Sequence, residues 1–150
     1  MLVQIAKRKD GAGVLRCVRD DGSVTWQKQT ERHAAYFALH DLTHFAVESV
    51  LGYNRGFFGL LREGWDFDDT TGKGAKGPLP AEASEVESIV GQFFIERASG
   101  ARWTAAEFCD SLSRKLTEDE LARVRRRRSE LFAAWAAVEP GSVLNLKFPS

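Results

Sequence analysis

The stretch HAAYFALHDLTHFAVESV, residues 33–50, constrains the fold more than any other part of the chain. A helix turns about 100° per residue, so His33, His40 and His44 at i, i+7 and i+11 share an arc of roughly 40°. These are all three histidines of the protein. Glu48 lies one turn beyond His44, and Asp41 flanks the stripe. Ala34, Ala35, Ala38, Leu39, Leu42, Phe45, Ala46 and Val50 cover most of the remaining wheel. A helix that is apolar on most faces is buried. Its one polar stripe is therefore expected to face a cleft inside the protein.

A buried helix needs other elements around it, and 150 residues supply one domain, 1–150, with a core of useful size. An apolar fraction of 43% excludes a disordered composition. Lys plus Arg equals Asp plus Glu at 21 each, without the basic excess of a nucleic-acid binder. No segment reaches the length of a membrane span, and the N-terminal residues lack the apolar run of a signal peptide. Cys17 and Cys109 have no metal-type spacing and read as buried thiols of a cytoplasmic protein.

Residues 2–28 read as a three-stranded antiparallel meander with turns at 10–13 and 20–22, and with Arg16, Arg19 and Lys28 on its wet side. Thr30 is a candidate N-cap for a helix over 31–51 that Gly52 ends. A short helix over 57–63 stops at Gly64. The loop TTGKGAKGPLP, 70–80, lacks the Ser or Thr that ends a phosphate loop and reads as a connector or lid. Further helices are expected over 81–98, 105–115 and 118–138, the last two opened by the capping boxes Thr104/Glu107 and Thr117/Glu120. Residues 142–148 alternate like a strand and should return to the N-terminal sheet. The expected fold is α+β: a small antiparallel sheet, meander plus C-terminal strand, packed on about five helices.

His40-Asp41-x-x-His44 carries the sharpest chemistry. Two histidines at i and i+4 point the same way and can reach one divalent ion, zinc foremost, at about 2.0–2.1 Å. A carboxylate would complete a site with an open position. The candidates are Glu48, Glu63, Asp66, Asp68 and Asp69, which the residues alone do not rank; Glu63 is assigned the position. Asp41 and Glu48 are candidate catalytic carboxylates, and Asp41 has a second option in holding a ring N–H behind the ion. Without a metal, His40 or His44 oriented by Asp41 or Glu48 could act as a general acid–base.

Arg128 falls in the middle of the apolar stripe formed by Leu121, Val124, Leu131, Phe132 and Trp135. It must pair with a carboxylate or with an anionic ligand, because an unpaired buried charge is costly. Arg97 is placed similarly among Val86, Val90 and Phe93. Both are candidate grips for an acidic small molecule over the histidine cleft.

HDLTHFAVE (40–48), GFFGL (56–60) and DTTGKGAKGPLP (69–80) together resemble a small, uncharacterised bacterial family, which implies no particular activity. The His-Asp-x-x-His motif also resembles that of a ubiquinone-biosynthesis protein family, where it belongs to a proposed zinc site. That pattern continues with Glu twelve residues after the second His, where this chain has Gly56; its next carboxylate is Glu63. Two functional classes follow. The first is a metal-dependent protein, a hydrolase or lyase. The second is a non-enzymatic binding module or homodimer in which the stripe is a structural polar network.

Overall fold

The computed structural model describes residues 1–27 and 34–149, with the backbone alone at 34 and 35. The Thr30 cap, Lys28 and His33 lie outside the described residues. Three strands, β1 (Leu2–Lys7), β2 (Gly13–Val18) and β3 (Val24–Trp26), form the expected meander. The last strand, β4 (Val143–Lys147), pairs antiparallel with β1, giving the order β3-β2-β1-β4. Five helices complete the α+β fold: α1 (Ala34–Leu51), α2 (Phe57–Glu63), α3 (Ala81–Ser99), α4 (Ala105–Phe108) and α5 (Glu118–Ala137).

Alternation decides which side of the sheet meets the helices. Val3 and Ile5 of β1 and Leu15 and Cys17 of β2 are buried on the inner face. On the outer face the register aligns Trp26, Arg16, Gln4 and Asn145 in one cross-strand row. Arg16 lies over the Trp26 ring and donates to Gln4, which donates to Asn145 at 2.9 Å. The sheet thus presents a hydrogen-bonded polar surface outward and an apolar one inward.

The central helix α1 packs against α5, α3, α2 and β2. Leu42, Phe45, Ala46 and Val47 are essentially inaccessible, as a mostly apolar wheel requires. Its approach to the sheet depends on Gly13, where a Cβ would lie 3.0 Å from Ile5 Cγ2 and 3.1 Å from Ala38 Cβ. Gly52 and Gly64 follow α1 and α2 with φ of 74° and 118°, values that L side chains adopt reluctantly.

Two expectations are corrected. Arg19 is not on the wet side: its guanidinium donates to the carbonyls of Leu61 and Trp65, at 2.5 and 2.6 Å, and is largely buried there. Helix ends leave carbonyls short of helical partners, and Arg19, the residue after β2, reaches Leu61 at the end of α2 and Trp65 just beyond it. The helix expected over 105–115 is only α4, Ala105–Phe108. Asp110, Ser111 and Ser113 favour turns over helix interiors. Lys115 Nζ donates to the carbonyls of Cys109 and Leu112, at 2.7 and 2.8 Å, holding the chain in its turn. Both predicted capping boxes are formed, Thr104 with Glu107 and Thr117 with Glu120. Among the described residues no helix is long and apolar enough to cross a membrane.

Candidate metal centre

One turn of α1 separates His40 from His44, and their ring centroids are 4.7 Å apart. His44 is buried, while His40 keeps a quarter of its side chain exposed. Each ring has a carboxylate behind it. Glu48 Oε2 is 3.2 Å from His44 Nδ1, and Asp41 Oδ1 is 3.8 Å from His40 Nδ1, an ion-pair distance rather than a hydrogen bond. Both Nε2 atoms consequently face the other way, toward Glu87 on α3. His40 Nε2 is 3.2 Å from Glu87 Oε1, and His44 Nε2 is 2.9 Å from Glu87 Oε2.

His40, His44 and Glu87 offer three ligand atoms within 4.8 Å of one another. Donors bound ~2.0–2.1 Å from a tetrahedral ion sit ~3.3 Å apart, inside that 4.8 Å limit, so the three would have to draw in to hold one ion. The Glu87 side chain is 59% exposed, which leaves the centre open to solvent on the α3 side.

Glu48 is locked in place from α2. Its Oε1 accepts the Gly59 N–H at 3.1 Å, one of the amides that the first turn of a helix leaves unpaired. Gly56 provides the room: a Cβ there would lie 2.5 Å from Glu48 Cδ. Gly56 is thus a cradle for Glu48.

Charge follows this arrangement. Burial alone would lower the His44 pKa, but Glu48 and Glu87 outweigh it and push the ring up to about 9. His40 is also raised, its burial outweighed by Asp41 and Glu87. The two imidazoles hold Glu87 well below the usual carboxylate range. Burial raises Asp41, opposed by His40.

Two cavities adjoin the centre. A space of about 30 Å³, the size of a water molecule, is lined by His44, Glu87, Phe57, Leu60, Ala83, Thr70 and Leu79. Thr70 and Leu79 bring both ends of the glycine-rich loop to the centre. A larger groove of about 610 Å³, bounded by Tyr36, Leu39, Phe94, Arg97 and Ala98, lies on the His40 side, where Phe94 stacks on the His40 ring.

The sequence assignments fare unevenly. His40 and His44 come together as expected. Glu63 does not join them: it pairs with Arg55 at 3.1 Å on the surface. Asp66 contacts Arg19, and Asp69 caps the Asp66 N–H in its own turn. The carboxylate beside the rings is Glu87. A general-base role for Glu48 or Asp41 does not fit, because both are buried behind the rings and both Glu48 oxygens are engaged. Arg128 has no carboxylate partner among the described residues. Its Nε donates to Thr43 Oγ1 at 3.2 Å, one terminal nitrogen is buried and unpartnered, and the guanidinium lies over Phe132, Phe93 and Phe94. Glu96 is taken instead by Arg125. Arg97 is exposed and contacts the Phe132 ring.

Glu87 did carry a sequence signal. It interrupts the apolar series Ala83, Val90 and Phe94, at i−4, i+3 and i+7, much as the histidines interrupt α1.

Two histidines and a carboxylate, each ring backed by a second carboxylate, define a possible mononuclear metal centre between two helices. Comparison with family models, curated proteins and solved structures finds no match to this chain.

Proposed function

We propose that the protein binds one divalent metal ion through His40 Nε2, His44 Nε2 and Glu87, and that it is a metal-dependent hydrolase or lyase. The supporting observation is the shared aim of the two rings. Carboxylates occupy the Nδ1 side of both, which favours keeping the proton there when an ion displaces the one on Nε2, and both Nε2 atoms face a single third ligand. Two imidazoles and a carboxylate suit zinc and leave a fourth position for water. An ion of this kind lowers the pKa of its water to about 7, generating a nucleophile at neutral pH. The solvent-open flank of Glu87 is where that position would be reached.

The test is metal analysis of untagged protein. The expected result is about one zinc, manganese or iron ion per chain, with His44→Ala and Glu87→Gln each abolishing stoichiometric retention. A second reading has its own support, since Glu87 already satisfies both Nε2 atoms at hydrogen-bond or ion-pair distance. If no added divalent ion binds stoichiometrically, that polar network is the function of the cluster and the metal reading fails.

A further inference from the structure

The four consecutive arginines of α5, 125–128, are taken apart by the fold. Arg128 turns in against Phe93, Phe94 and Phe132, and Arg127 pairs with Glu130 beside the Phe45 ring. Arg125 and Arg126 remain. With Ala122 and Ser129 they stand at i+3 and i+4 between i and i+7, which is one face of the helix. These four residues and Arg102, on the segment between α3 and α4, line a pocket of about 230 Å³. The lining is thus three guanidinium groups, one hydroxyl and one methyl.

One of the three guanidinium groups is fixed in place. Arg125 Nη2 pairs with Glu96 and donates to the Trp103 carbonyl at 2.9 Å, and the side chain is only 14% exposed. These contacts use Nη2 alone, so Nη1 and Nε stay available as donors. Arg102 and Arg126 are exposed and, among the described residues, have neither an ion pair nor a hydrogen bond. The acidic side chains of α5 are engaged elsewhere: Glu118 with the Ala105 N–H, Asp119 with Arg123, Glu120 with Arg114 and Glu130 with Arg127. The pocket therefore sets three positive charges against the single negative charge of Glu96, a surplus of two.

Charge and shape together select the ligand. A phosphoryl group carries a charge of about −1.5 to −2 at neutral pH and presents three acceptor oxygens. Those oxygens can take separate guanidinium groups and a hydroxyl at once, whereas one arginine fork already satisfies a carboxylate. The volume is several times the ~30 Å³ share of a water molecule, which leaves room for a phosphoryl group and part of an organic body. We infer that the pocket binds a phosphoryl group, free or as the end of a phosphate monoester, through Arg102, Arg125 and Arg126 with Ser129 as a further donor. None of these residues belongs to the candidate metal centre, so the two sites stand or fall separately.

The test is calorimetric titration of inorganic phosphate, phenyl phosphate and acetate into chelator-treated protein at fixed ionic strength. Removing metal excludes phosphate held by an ion at the histidines. The expected result is that at least one of the phosphates binds once per chain, at least about tenfold tighter than acetate, since one further charge-assisted contact is worth that factor or more. Tighter binding of phenyl phosphate assigns the pocket to monoesters, and tighter binding of inorganic phosphate assigns it to the free anion. Arg102→Gln and Arg126→Gln, both at exposed positions, should each weaken binding by about tenfold. Ala122→Glu sets a carboxylate among the arginines and should abolish it. Arg123→Gln removes a positive charge from the same helix outside the pocket and should leave it unchanged. Acetate binding as tightly, binding of neither phosphate, full affinity in both Arg102→Gln and Arg126→Gln, or an equal loss in Arg123→Gln overturns the inference.

Discussion

Glu48 Oε2 lies 3.2 Å from Nδ1 of His44, and the other oxygen of the same carboxylate holds the amide of Gly59. One buried side chain therefore fixes both the tautomer of a candidate ligand and the start of α2.

Glu48→Gln tests the first of these tasks. The variant can keep its oxygen on the Gly59 N–H, but its amide then presents a donor to His44 Nδ1. The imidazole must answer with a lone pair at Nδ1 and a proton at Nε2, the atom facing the proposed ion. Metal affinity should fall about 10–100-fold, the usual effect of losing such a supporting partner. Competitive titration against a chromogenic chelator measures it, with circular dichroism to verify that the fold is kept.

Gly56→Ala tests the second. The added methyl would meet Glu48 Cδ at 2.5 Å, too close for any tolerated contact. Overpacking of this kind costs about 1–3 kcal/mol. Urea unfolding should show that loss, and metal affinity should fall with it because Glu48 is pushed from the His44 ring. Stability and affinity both at parental values would contradict the cradle.

The thiols should be inert. Cys17 and Cys109 are fully buried, and burial, with the nearby Asp41, pushes the Cys17 thiol up to about 12. A thiolate is the reacting species, so dithiobisnitrobenzoate should label neither residue in the native protein and both after unfolding. Rapid labelling at neutral pH without denaturant would show that the sheet face opens.

Acid should loosen the C-terminal helices first at their starts. Glu107 and Glu120 are held below the ordinary carboxylate value by the backbone and hydroxyl of Thr104 and, for Glu120, the backbone of Thr117 with help from Arg114. A depressed folded pKa contributes stability that is present above the unfolded value and lost as pH falls through the folded one. Hydrogen exchange at the first turns of α4 and α5 should therefore accelerate below about pH 4.5, the unshifted value. Thr117→Ala should reproduce part of this at neutral pH, with a loss of about 1 kcal/mol.

The sequence disclosed whatever depended on neighbours along the chain. The capping boxes, the glycine stops and the alternation of β1 and β4 are local, and each was legible. The pairing of His40 with His44 was legible for the same reason, since helical spacing fixes it. For Glu87 only its break in the apolar series of α3 was legible; its place beside the rings arises from how α3 crosses α1, which no residue spacing states. Arg19 reads from the sequence as solvent-facing, and Arg128 as paired with a carboxylate or an anionic ligand. One found the backbone carbonyls at the end of α2, and the other found aromatic faces. The short α4 reflects Lys115 reaching back to carbonyls that a longer helix would have used itself.

The contact of Arg19 with the end of α2 has a wider effect. The same short helix receives Glu48 at its first turn and Arg19 at its last, so a seven-residue segment that could not hold its shape alone is clamped at both ends. One clamp comes from the sheet and the other from the histidine helix. Opening the meander at the end of β2 would release α2, and with it the support behind His44, so the meander and the candidate centre should gain and lose protection together.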